Sequence, residues 1–340
     1  MKILVLLTFS LLLLFSQDDK NVTEISIIQA KEVVKIEIEK AEIEPFSYKI
    51  KNIYLSSSKI NCVAIDENGK FLASGDDRGD VKIWETNSTK LIKTLKVGLS
   101  KPINSIKISD DGKFTVTSSF GIVKLWDLNS SKLIQNYNFY DKNVKALDIS
   151  YDNSLILTGS SDGKIKLWDI EENELLQIFQ GDKKEIISVD FSDDGNLIVS
   201  SGSDGKVRVW DIENYELLET LSGHIKIVND VKFSNDDSFI VTASADKHLK
   251  IYNNDENLTL KYNLTGHLLD VIAVKISSDS QYIFSTSLDK SIKIWDSQTG
   301  ELVKNLNNQI ENLKSSDISL DYRYIVVANE KVIKLYEIME

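Results

Sequence analysis

The sequence holds one cysteine, Cys62, and that alone excludes an intramolecular disulfide and a cysteine-based zinc site, whatever the surrounding redox state. Proline occurs only at Pro45 and Pro102. With 42% apolar and 27% charged residues, such scarcity excludes a proline-rich or disordered class and leaves a chain able to build a core. Three histidines, with no HExxH, P-loop, GxGxxG or Ser-His-Asp context, leave few groups from which a catalytic centre could be assembled. Runs of lysine and arginine are also missing, and a net charge of -12 repels a phosphate backbone, so nucleic acid is not an expected partner.

Long hydrophobic runs are confined to the N-terminus, where Met1-Lys2 precedes thirteen almost wholly apolar residues from Ile3 to Phe15. This stretch is shorter than the ~20 residues of a membrane span and matches a secretory signal over residues 1–17, which places the mature chain outside the cytoplasm, secreted or periplasmic, with no membrane span of its own. The cleavage context is poor, with Ser16 at -1 and Leu14 at -3, and a cytoplasmic chain with a buried or anchoring start is the alternative. Residues 18–46 form an N-terminal extension in which Glu32 to Glu44 alternates apolar and charged side chains, the pattern of a strand or an extended tether.

Beyond residue 46 the chain repeats itself. Trp84-Glu85, Trp126-Asp127, Trp168-Asp169, Trp210-Asp211, Tyr252-Asn253, Trp295-Asp296 and Tyr336-Glu337 recur at intervals of 42, 42, 42, 42, 43 and 41. Within each unit, short runs of β-branched and aromatic residues such as Ile227 to Phe233 and Phe239 to Ala243 alternate with turn signals such as Asp193-Asp194-Gly195 and Ser203-Asp204-Gly205. Each repeat therefore reads as four short antiparallel strands, and the fold as all-β.

The order Gly-His, strand, Ser-x-Asp, Trp-Asp resembles the WD40 family, and the resemblance implies a seven-bladed β-propeller over residues 47–340. The hydrogen-bonded set that braces a blade in that family is carried over in full to His267, Ser287, Asp289 and Trp295. His224, Ser244, Asp246 and Tyr252 follow, with tyrosine in the tryptophan's place. The resemblance makes these residues structural. Closure follows from the register: the last repeat ends after its third strand, while residues 47–55 lie four periods before Tyr215 to Gly223 and match a fourth strand with no blade of its own. They are expected to complete blade seven and remove an exposed sheet edge.

A propeller offers two loop faces. One carries about -20 of charge, with Asp169, Glu171, Glu172 and Glu174 among its residues, so the remainder is net positive. On the other, Lys142, Lys184 and Lys226 recur at one position of three successive blades, with Lys183 beside them, as a candidate basic ridge for a partner. Blades three to six keep the turn aspartates Asp162, Asp204, Asp246 and Asp289, whereas blade one has Arg78, blade two has Phe120 in a shorter turn and blade seven has Glu330. Drift near the closure, with loss of the bracing turn, is the plain reading. The sharper one makes Arg78 and Phe120 ligand anchors, both being types favoured at hot spots. The functional expectation is a noncatalytic scaffold that binds a protein or peptide without a cofactor, as a monomeric propeller within a complex. The alternative is a propeller enzyme, or a binder of calcium or a small molecule, at the channel mouth, where a pair of carboxylates could meet.

Overall fold

The computed structural model describes residues 6–7, 11–16, 24–29, 32–37, 47–97, 101–137, 142–307, 313–319 and 321–339. The chain divides into two compact units, residues 1–47 and 48–339. In the first, strands Leu6–Leu7, Leu11–Ser16, Glu24–Gln29 and Glu32–Glu37 pair antiparallel in sequence order. The alternating segment is thus a strand as far as Glu37, and residues 38–44 lie outside the described residues. No helix among the described residues is long and apolar enough to cross a membrane.

The second unit is seven four-stranded antiparallel sheets. Their innermost strands are Ile60–Ile65, Ser105–Ile108, Val144–Ile149, Ile186–Phe191, Val228–Phe233, Val271–Ile276 and Ser315–Ile318. Each contacts the next and the last contacts the first, which makes a closed ring of blades around a channel. Within a blade the register slips by one residue before the aromatic of the third strand, as at Ile294/Trp295 and Leu167/Trp168, and such bulges add twist. At the turn after every innermost strand one residue takes the left-handed conformation, with φ from 46° to 72° at Gly69, Gly112, Asn153, Gly195, Asp237, Ser280 and Tyr322. Asparagine, aspartate and glycine tolerate this conformation best, which explains the turn signals in the sequence.

Blade seven is completed by Ser47–Leu55, which lies beside Val332–Met339 as its outermost strand. Lys49 Nζ sits 2.8 Å from Glu337 Oε2, Lys51 Nζ donates to Tyr324 Oη at 2.8 Å, and Ser56 N donates to Lys331 O at 2.9 Å. The core lies between blades. Tyr54, Ile60, Val63, Ile65 and Leu72 pack on Tyr324, Val326, Ile333 and Leu335 across the seam of blades seven and one, as Val199, Val207 and Leu221 pack on Val231, Ile240 and Tyr252 across blades four and five. Closure is therefore sealed by the same apolar burial as any other inter-blade contact.

Candidate functional site

The period that organises the sequence also stacks charge along the channel. Aligning the innermost strands puts Ala64, Lys107, Asp148, Asp190, Lys232, Lys275 and Asp317 at one level. Six of these seven are charged, and they pair as neighbours: Lys107 with Asp148 at 3.1 Å, Lys232 with Asp190 at 2.5 Å and Lys275 with Asp317 at 3.0 Å. Each aspartate also accepts a backbone N–H from the following blade, from Phe191, Phe233 and Ile65 respectively, at 2.9 to 3.0 Å. Burial opposes ionisation of Asp148, but Lys107 and Lys232 outweigh it and hold its carboxyl below the usual range. Burial, with Asp148 nearby, raises Asp190 to about 6, and Lys232 stays protonated despite its own burial because Asp190 faces it. This girdle was missed by sequence reading, although its spacing stays within one residue of the Trp-Asp period.

The girdle divides the channel. Toward the face where the innermost strands begin, here the upper face, a cavity of about 420 Å³ is lined by Asn61, Asn104, Lys145, Asn229, Asp230 and Lys314 among others. Toward the lower face a cavity of about 120 Å³ is lined by Glu67, Asp110, Tyr151, Asp193 and Asn235. Glu67 of blade one and Asp110 of blade two meet there as a hydrogen-bonded carboxyl pair. Burial first, and then the Asp110 charge, raise Glu67 to about 7, and burial raises Asp110 as well. Two carboxyls held together away from water cannot both ionise cheaply, so the pair keeps a proton near neutrality.

On the upper face two histidine networks form, and that of His267 is complete. His267 Nδ1 lies 2.9 Å from Asp289 Oδ2, and its Nε2 lies 2.8 Å from Ser285 Oγ, which accepts Trp295 Nε1–H at 2.9 Å. His224 repeats the set with Asp246 at 2.8 Å and Thr242 at 2.7 Å, and Tyr252 is buried in the tryptophan's place. The serines assigned from sequence, Ser287 and Ser244, are not the ones that close these networks. Both lie at strand ends, where Ser287 Oγ donates to Leu269 O at 3.2 Å and Ser244 Oγ to Ile227 O at 2.8 Å. The hydroxyl that reaches the histidine sits two residues earlier, on the same side of the strand. Burial lowers the pKa of both histidines, which suits a neutral ring donating from Nδ1 and accepting at Nε2.

The expected loss of bracing in blades one and seven is corrected by the structure. Asp76, 4% exposed, caps the turn of blade one by accepting N–H groups from Arg78 and Asp80 at 3.0 and 2.9 Å. Asn329 does the same in blade seven for Lys331 and Val332, both at 2.9 Å. Alignment on the turn aspartate, whose place is taken by Arg78 in blade one and Glu330 in blade seven, overlooks both caps. In blade four Asp182 stands where blades five and six have histidine, and its carboxylate accepts Asp204 N–H at 3.0 Å. Arg78 is exposed, and Phe120 is 48% exposed with Lys101 Nζ 5.4 Å from its ring centroid. Lys142, Lys184 and Lys226 each lie two residues before an innermost strand and are exposed, as is Lys183.

The family model described as WD domain, G-beta repeat matches residues 49–85, 89–127, 131–169, 173–211, 215–253 and 258–296, each match ending on a Trp-Asp dipeptide or its equivalent. A curated relative, the ribosome biogenesis protein ERB1 of Ajellomyces capsulatus (strain NAm1 / WU24), is 33% identical over 67 residues. Those residues are 19% of this chain, and they span 8% of the relative's length.

Proposed function

The chain belongs to the WD-repeat family, whose propellers are typically noncatalytic protein-interaction scaffolds, and from that membership we propose that this ring holds partner proteins on its loop faces. The observation that carries the reading is the division of labour in charge. The lysines and aspartates of the girdle are spent on one another, whereas the loops present broad and chemically different faces, acidic below and lysine-bearing above. Lys142, Lys184 and Lys226 supply a basic ridge on the upper face, and Arg78 and Phe120 supply a cation and an aromatic on adjacent blades.

Affinity capture from the native source, read by mass spectrometry with the tagged full chain, tests this. A partner recovered in near-equal amount, and lost when Lys142, Lys184 and Lys226 are all changed to glutamate, supports the ridge. Capture unchanged by that triple variant removes it, and capture unchanged by Arg78→Ala with Phe120→Ala removes those anchors. The second reading, a calcium or small-molecule binder at the lower channel mouth, draws on the Glu67 and Asp110 pair. A melting temperature that rises with calcium in the wild type but not in Glu67→Gln favours it. We further propose that residues 1–17 direct export, with N-terminal sequencing of the mature protein as the check: a chain that begins at Met1 ends that proposal.

A further inference from the structure

Ile225 and Leu268 are the most exposed large apolar side chains among the described residues, at 87% and 74%. They hold the same place in successive repeats, directly after the two Gly-His pairs, and Ile227 and Leu269 next to them are 40% and 47% exposed. Exposure of this kind in a slack loop would be unremarkable, but these loops are clamped at both ends. Ile225 N donates to Asp246 Oδ2 at 3.1 Å and Leu268 N to Asp289 Oδ2 at 2.8 Å. At the far end Ser244 and Ser287 hold the carbonyls of Ile227 and Leu269. The aspartates of the histidine networks and these serines thus fix the backbone that carries four aliphatic side chains in water, where each costs hydration free energy that relaxation of the loop would otherwise recover. The strands that the two loops lead into are joined where they begin, since Asn229 Nδ2, two residues after Ile227, donates to Val271 O, two residues after Leu269, at 2.7 Å.

We infer that Ile225, Ile227, Leu268 and Leu269 form a rigid docking ledge on blades five and six for a partner segment in which apolar side chains stand among carboxylates. Charge selects that occupant. Lys226 and Lys247 are exposed around the ledge, Asp246 and Asp289 are consumed by the histidines, and Asp270 is only partly exposed. The acidic lower face repels the same segment and leaves this place to receive it. The inference rests on reading the chain as a protein-binding scaffold and adds the site and the partner's chemistry.

The test is a random peptide library displayed on phage and panned on the full chain, with enriched peptides measured by fluorescence anisotropy. Peptides combining aliphatic residues with aspartate or glutamate are expected, and Ile225→Asp with Leu268→Asp should weaken them about tenfold or more at an unchanged melting temperature. Should that variant fold poorly, Lys226→Glu with Lys247→Glu leaves the ledge intact and should weaken the same peptides through charge alone. Basic consensus peptides, or binding that survives both variants, overturns the ledge while leaving the scaffold reading in place. Failure to enrich any peptide counts against both. Self-association of the free chain, seen by sedimentation and abolished by Ile225→Asp, assigns the ledge to a second copy and ends the acidic-segment proposal.

Discussion

Blades five and six hold their upper-face turns with a buried histidine shared between an aspartate and a hydroxyl, whereas blades one and seven hold the equivalent turn with one short side chain, Asp76 or Asn329, that caps two amides. The turns reach the same strand pairing by different chemistry. The histidine network is longer, since it also fixes the incoming loop through Ile225 N and Leu268 N, while the cap fixes only its own turn. Loss of the family's signature residues in one arc of the ring is therefore a change in what is braced. In blades five and six a loop is presented to solvent; in blades one and seven a turn is merely closed.

The largest way to break this comparison is to open the arc itself. Deleting residues 47–55 removes the outermost strand of blade seven, exposes Val332–Met339 as an edge and unpacks Tyr54 from the seam, and the deleted chain is expected to be insoluble or to lack a cooperative thermal transition. A soluble chain with one sharp transition would show that closure depends on the third strand alone. Next, Asp289→Ala strands a buried histidine and frees Leu268 N, and should cost about 3 kcal/mol in urea unfolding. Asp76→Ala loses only a double cap and should cost about 1 to 2 kcal/mol. Equal costs would mean that the two devices do the same work and that the histidine adds nothing.

Much of this is legible in the sequence. The tryptophan spacing specified seven repeats, and the orphan strand at residues 47–55 specified how they close, because both follow from period and from the need to pair an edge. Local chemistry was less legible. Ser244 and Ser287 fit the Ser-x-Asp spacing, yet side-chain direction along a strand gives the histidine bond to Thr242 and Ser285 instead. Asp76 and Asn329 were hidden because a cap can act from two residues away. The girdle of Lys107, Asp148, Asp190, Lys232, Lys275 and Asp317 was hidden for another reason: within its own strand each reads as an ordinary polar residue, and only the ring sets six of them face to face.

The smallest effect separates the arcs by sign. Burial lowers the pKa of His224 and His267 below 6.5, so as pH falls below 6.5 the unfolded chain takes up protons that the folded rings resist, and blades five and six lose stability. Glu67, between blades one and two, is raised from 4.5 to about 7, mainly by burial and then by Asp110, with Lys107 and Lys275 opposing. A raised carboxyl contributes stability that is complete below its unfolded pKa and is lost as pH climbs through the folded value, so this arc is weakest above about pH 7. Glu67→Gln keeps a donor for Asp110 without the charge. It should gain about 1 kcal/mol at pH 8, after allowance for solvent screening of a half-buried group, and the gain should vanish by about pH 4.5. In the same titration His267→Gln should flatten the acid limb while leaving the alkaline limb alone. A Glu67→Gln gain that grows on acidification would reverse the assignment and place the ionised carboxylate among the groups that hold blades one and two together.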